Sequence, residues 1–158
     1  MGSIRLQATL VSVYGVGALI RGPAGSGKSW AALCLMDRGH RLVADDLVEI
    51  SADPNGGLTG FPVDPEARVE VRGLGIFPAT WLYPEGTQPS ASIGLIVELD
   101  SYEASRDAGR TIPETSASNL LGVDVPVVRL PLPANSDPGL LIEMVVRLWK
   151  SRRAVIPA

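Results

Sequence analysis

Apolar and polar positions roughly alternate through "IRLQATLVSVY", from Ile4 to Tyr14, and many of these residues are β-branched. A period of two predicts a strand. Gly15-Val16-Gly17 reads as a turn, and "ALIRG" as a short strand entering a glycine-rich segment. From Lys28 the apolar positions take helical spacing as far as Arg38, with Gly39 as the C-terminal cap. "RLVADD" and "LVEIS" then read as buried strands, followed by a turn at "DPNGG", Asp53 to Gly57.

Further on, "VEVRGLGIF" mixes a strand with glycines that let the backbone approach another group closely. "SIGLIVELD" reads as a central strand and "VPVVRLPL" as another, whereas Tyr102 to Asn119 is polar and expected to be loop-rich. Ser136-Asp137-Pro138 marks a helix start, with "GLLIEMVVRLW" as the amphipathic body. The apolar face of that helix, Leu140 to Trp149, is expected on the chain's own core, with an interface as the other use. Strands with few intervening helices predict an α/β domain with a mixed sheet. No repeat or linker divides the chain, so one domain over 1–158 is expected.

Composition narrows the class. A chain of 158 residues, 46% hydrophobic and 20% charged, can close a full core. A net charge of −3 without a basic patch disfavours nucleic-acid and membrane-surface partners. No apolar run has the length of a membrane span, and the single cysteine suits a reducing cytoplasm. Cys34, between Leu33 and Leu35, reads as a small buried hydrophobe. Only Lys28 and Lys150 are lysine, so a lysine inside a glycine loop suggests a need for a compact point charge.

That loop is "GPAGSGKS", Gly22, Pro23, Ala24, Gly25, Ser26, Gly27, Lys28 and Ser29, which fits G-x-x-x-x-G-K-[ST] at every fixed position. Glycines let successive backbone N–H groups face a phosphate, and the helix N-terminus adds partial positive charge. Lys28 would reach the β- and γ-phosphates and the Ser29 hydroxyl would ligate Mg²⁺. One helix and one strand later stand Asp45 and Asp46, enough chain to return beside the loop. Two adjacent carboxylates are expected to differ in role. One would take a proton from a hydroxyl nucleophile, the other hold the metal shell or a neighbouring side chain.

"YGVGALIRG", "GSGKS", "RGHRLVADDLVEI" and "EVRGLGI" (Glu70 to Ile76) occur in the order of the HPr kinase/phosphorylase family, whose catalytic core the chain resembles. The last stretch fits the family signature E-[LIV]-R-G-x-G-[LIVM], and "GRTIPE" and "LLGVDVPVV" look like its short, single-domain members. The resemblance implies a P-loop kinase core acting on a serine of an HPr-like phosphocarrier protein with ATP and Mg²⁺. Gly22 to Ser29 would hold the triphosphate, Ser29 and Glu70 the Mg²⁺. Asp46 would be the base that accepts the serine proton, and the acid when phosphate attacks phosphoserine. Arg110, in "GRTIPE", is either a clamp on the transferring phosphoryl group or an exposed loop residue. Glu70 and Arg72 also have an ordinary reading as a surface pair, and His40 one as a surface or capping residue. A cytoplasmic homo-oligomer, a hexamer by resemblance, is expected.

Two departures accompany the likeness. Gln7 stands where the family carries a catalytic histidine, and it can hydrogen-bond but not titrate near neutrality. "PLPANSDPG" lacks the glycine-arginine-asparagine motif tied to dephosphorylation in longer members, whose N-terminal domain is also not expected here. The alternatives are therefore a nucleotide-binding regulatory module with weakened catalysis, or a kinase of another small protein.

Overall fold

The computed structural model describes residues 2–151. The strand expected from Ile4 to Tyr14 divides at Ala8 into β1 (Ser3–Gln7) and β2 (Thr9–Val13). The apolar alternation runs through the break unchanged, which is why the sequence hides it. After a turn whose Tyr14 and Gly15 both have positive φ, β3 (Val16–Arg21) leads into the glycine loop and α1 (Lys28–Asp37). Gly39, at φ 92°, ends that helix in the left-handed conformation the sequence predicts. β4 (Arg41–Ala44) and β5 (Leu47–Ala52) follow, separated only by the two aspartates.

These two breaks face each other. β1 pairs with β5, β2 pairs with β4, and the Ala8 N–H donates to the Asp46 carbonyl at 3.1 Å. Both chain segments thus cross between the two halves of the sheet at one point. The sheet is completed by β6 (Leu58–Pro62) and, later, β9 (Ala91–Ser101), β10 (Glu114–Leu120) and β11 (Val123–Leu132). Between β6 and β9 lie a separate hairpin of β7 (Arg68–Val71) and β8 (Gly75–Pro78), and a helical turn, α2 (Ala79–Leu82). Among the described residues nine strands form one mixed sheet, with β3 parallel to β9 and β9 parallel to β11.

The central strands bury both faces, as parallel neighbours require. Ala18 and Ile20 of β3, with Leu95 and Val97 of β9, join a core containing Ala31 and Leu35 of α1. Leu19 and Ile96 point the other way, toward Val48, Ile50, Leu58 and Val127. The final helix, α4 (Pro138–Ser151), begins at the predicted proline, and the Asp137 carboxylate accepts the Leu140 N–H at 3.2 Å. Its Ile142 and Val146 join the α1 core, while Leu140, Met144 and Leu148 remain exposed.

Two expectations are corrected. Tyr102 to Asn119 is not all loop: it holds α3 (Ala104–Asp107) and all but the last residue of β10, a polar strand kept in place by seven residue pairings with β11. Asp107, Arg106, Arg129 and Asp100 form the charged network that anchors α3, with Arg129 Nη1 3.0 Å from Asp107 Oδ1 and Nη2 2.9 Å from Asp100 Oδ2. His40 is not a surface residue but 8% exposed, its Nε2 2.7 Å from Glu143 Oε2. Tyr14 and Arg38 also donate to Glu143, so one carboxylate ties α4 to the ends of α1 and β2. Burial alone would raise that carboxyl, but the hydrogen bonds from His40, Tyr14 and Arg38 outweigh it and hold it below its ordinary value.

A phosphate-loop cleft as candidate active site

The loop between β3 and α1 is shaped by glycine where no other residue fits. Gly25 and Gly27 have φ of 79° and 98°, in the left-handed region. A Cβ at Gly22 would stand 2.7 Å from the Leu99 carbonyl oxygen of the neighbouring strand. The Ser26 N–H donates to the Pro23 carbonyl at 3.0 Å and the Ala31 N–H to the Gly27 carbonyl at 2.8 Å, closing the loop onto the first turn of α1. Lys28 lies along the loop, its Nζ donating to the carbonyls of Gly22 (2.7 Å) and Pro23 (3.2 Å).

Asp45 and Asp46 part ways as two adjacent carboxylates in one turn should. Asp45 points inward, accepting hydrogen bonds from Thr9 Oγ1 at 2.7 Å and Ser29 Oγ at 2.8 Å. Burial pushes the Asp45 carboxyl up, against the lowering effect of those two hydroxyls. Asp46 is exposed and takes φ of 70°, an uncommon conformation for a residue other than glycine. The Ala8–Asp46 backbone bond and the turn back into β5 hold it there.

Asp46 lines a cleft of about 510 Å³ with Lys28, Ser29, Glu70 and Arg72. Glu70 and Arg72 arrive on the β7–β8 hairpin, packed through β7 against α1, where Gly73 and Gly75 have positive φ. The residues drawn from three separate stretches of sequence are thus brought to one hollow. Arg110 is not among them: it is exposed at the turn after α3, and its guanidinium makes no hydrogen bond or ion pair among the described residues. Sequence reading also missed Thr9, which fixes the second oxygen of Asp45, and Trp30, which lines the cleft beside Ser29. Cys34 is half-buried, and burial raises its thiol further from ionisation, so it is no nucleophile.

The donors facing the cleft are hard oxygens, from Ser29, Asp46 and Glu70, of the kind Mg²⁺ takes. Among the described residues no three His, Cys, Asp or Glu side chains converge on one point. Mg²⁺ requires no such cage, because phosphates and water complete its shell.

A glycine loop between a strand and a helix, beside an aspartate pair on a mixed sheet, defines an α/β domain of the P-loop kinase class. Residues 2–158 match the model of the HPr Serine kinase C-terminal domain, and the chain belongs to that family. The HPr kinase/phosphorylase of Treponema pallidum (strain Nichols) is 40% identical over 144 residues, covering 89% of this chain and 45% of the relative. That of Geobacillus thermodenitrificans is 34% identical over 155 residues, 97% of this chain and 50% of the relative. The chain therefore spans about half the length of the curated relatives it matches. The Hpr(Ser) kinase/phosphatase structure from Coxiella burnetii superposes with a TM-score of 0.82 at 27% identity, over 94% of this chain and 97% of the other. No helix among the described residues is long and apolar enough to cross a membrane.

Proposed function

We propose that this chain transfers the γ-phosphoryl group of ATP to a serine hydroxyl of an HPr-like phosphocarrier protein. The observation that carries the reading is the meeting of Lys28, Ser29, Asp46 and Glu70 in one cleft. In phosphoryl transfer the protein acts mainly by positioning groups and stabilising charge. The backbone amides of the glycine loop bind the phosphates. Lys28 exchanges its carbonyl partners for phosphate oxygens, a short swing of a flexible stem. Ser29 and Glu70 would hold Mg²⁺, whose charge would offset that of the phosphates. Asp45, by accepting the hydrogen bond of the Ser29 hydroxyl, leaves that oxygen's lone pairs free to turn outward.

Asp46 performs the proton transfer. The serine oxygen bonds to the γ-phosphorus as the bond from that phosphorus to the β-γ bridging oxygen breaks, and the serine proton passes to the Asp46 carboxylate. In the reverse sense, phosphate attacking phosphoserine releases pyrophosphate and serine, whose oxygen takes the proton from Asp46. Exposure suits this role, since a base that must meet a side chain of another protein needs to be reachable. Leu74 and Ile76, exposed on the hairpin that carries Glu70, offer an apolar surface to such a protein. A cytoplasmic homo-hexamer accords with the family likeness and with the exposed Leu140, Met144 and Leu148 stripe on α4.

One observation favours a second reading. Gln7 is exposed at the end of β1, opposite Leu47 and next to the Ala8–Asp46 bond, and it cannot titrate near neutrality. A nucleotide-binding module with weakened catalysis would have this site. Purified chain incubated with Mg-ATP and the HPr-like carrier of the same cell, read by intact mass, separates the two. The kinase reading expects a one-phosphoryl gain on a carrier serine, and no gain despite Mg-nucleotide binding by calorimetry overturns it.

A further inference from the structure

Trp30 has no structural employment in the core. It is the third residue of α1 and 61% exposed, on a helix whose packing is supplied by Ala31, Ala32, Leu35 and Met36. Its indole N–H has no hydrogen-bond partner among the described residues. Burying a free aromatic face is favourable, so such a residue beside a ligand loop is suited to stacking. Trp30 also borders a second hollow, of about 530 Å³, whose lining includes no residue of the hairpin. Opposite it stand Leu132, Pro133 and Pro138, from the end of β11 and the start of α4.

Gly27 and Trp30 line both hollows, so the second opens directly onto the phosphate loop. Its volume falls within the range of small-molecule sites, and its lining combines the Trp30 indole with the apolar Leu132, Pro133 and Pro138. Asn135 on its rim is held at φ 63°, and its side-chain amide, free of partners among the described residues, offers both donors and an acceptor. A ligand with an anionic tail on the loop and a planar head in this hollow would satisfy both. A nucleoside triphosphate has that form.

We infer that the base of the bound nucleotide stacks on Trp30 in the hollow closed by Leu132, Pro133 and Pro138, with the Asn135 amide reading its edge. The inference rests on the proposed phosphate-loop reading and adds the base site to it. It gives Trp30 a role in affinity for the nucleoside and none in gripping phosphate.

Calorimetry with Mg-ATP and with Mg-tripolyphosphate tests it, on the whole chain and on Trp30→Ala and Trp30→Phe. Stacking of a base on an aromatic side chain predicts that Trp30→Ala weakens Mg-ATP on the order of 10- to 100-fold. Mg-tripolyphosphate should change less than about twofold, since it has no base to stack. Trp30→Phe should recover most of the lost Mg-ATP affinity. Asn135→Ala should narrow any preference between Mg-ATP and Mg-GTP. If Trp30→Ala weakens both ligands equally, or neither, the base does not lie on Trp30. If the unaltered chain binds Mg-tripolyphosphate as tightly as Mg-ATP, the hollow is not a base site while the phosphate loop stands. If it binds neither, the phosphate-loop reading fails and takes this inference with it.

Discussion

Ser29 Oγ donates to Asp45 Oδ2 at 2.8 Å, so the hydroxyl that closes the phosphate loop is aimed by a carboxylate sixteen residues further on. The arrangement costs stability, because Asp45 is largely withdrawn from water and burial raises its carboxyl above the ordinary 3.8. A raised carboxyl in the folded state contributes stability that is full below 3.8 and is lost as pH rises through its folded value. Asp45→Asn removes that titration. Its melting temperature should exceed the parent's at pH 8, by a margin that shrinks as pH falls toward 3.8. The same variant should bind Mg-nucleotide more weakly, since Ser29 loses its ionic acceptor. A lower melting temperature at pH 8 would show that the two hydroxyl bonds outweigh desolvation.

Asp46 carries a different trade. A left-handed backbone at a residue with a Cβ costs about 1–2 kcal/mol, against nearly nothing for glycine. Asp46→Gly should therefore match or exceed the parent's stability in denaturant unfolding while losing transfer. Asp46→Asn, which tolerates the same backbone, should lower transfer by about 10²–10⁴-fold. Nucleotide affinity should stay within a few-fold, because the loop amides and Lys28 are untouched. Near-parental phosphorylation of the carrier by Asp46→Asn would remove it as the base.

These two residues also show what was legible in the chain. The glycine loop with Lys28 and Ser29 and the aspartate pair were readable from residue type and spacing, and Glu70 from the family resemblance. The cleft brings Lys28, Ser29, Asp46 and Glu70 together, while Asp45 turns inward to Ser29 and Thr9. Differing roles for the two aspartates followed from like charges avoiding one environment. The partners that enforce the difference did not. Thr9 meets Asp45 across 36 residues, and His40 meets Glu143 across 103, pairings set by sheet order and helix packing that no local pattern encodes. The break at Ala8 was hidden because alternation persists through it. Strand β10 was hidden because "ETSASNL" is polar and is held by backbone pairing to β11.

The Glu143 cluster should set stability on the acid side. Its carboxyl is held below the ordinary 4.5, so its contribution is present above 4.5 and lost as pH falls through the folded value. Glu143→Ala leaves His40, Tyr14 and Arg38 without their common acceptor at a buried position. Breaking such a pairing costs about 3–5 kcal/mol. Thermal unfolding at pH 7 should fall accordingly, and the gap to the parent should narrow below pH 4.5. A variant within 1 °C of the parent at pH 7 would show that α4 is held by Ile142 and Val146 alone.

Arg110 should prove dispensable. It lies outside the cleft, and among the described residues its one hydrogen bond is from its backbone N–H to the Asp107 carbonyl at 3.1 Å. An arginine that clamps a transferring phosphoryl group is worth about 10³–10⁵ in rate. Arg110→Ala should change transfer by less than about threefold, far below that scale. A thousandfold loss at unchanged stability would mean that the turn after α3 closes over the cleft once both substrates are bound.

Gln7 offers the last test, because it separates a working kinase from a nucleotide binder. It ends β1 opposite Leu47, one residue beyond Asp46, and is exposed there. An imidazole at this position would titrate near about pH 6.5, where glutamine carries no charge at all. Beside Asp46 a protonated ring would place a positive charge near the transferring phosphoryl group, which glutamine cannot do. Gln7→His should raise the carrier phosphorylation rate at least tenfold near pH 6, with the gain fading as pH rises and the ring loses its charge. Mg-nucleotide affinity should not change, since Gln7 does not line the phosphate cleft. An equal rate at every pH would mean that Asp46 works without a cationic neighbour, and that glutamine here does not weaken catalysis.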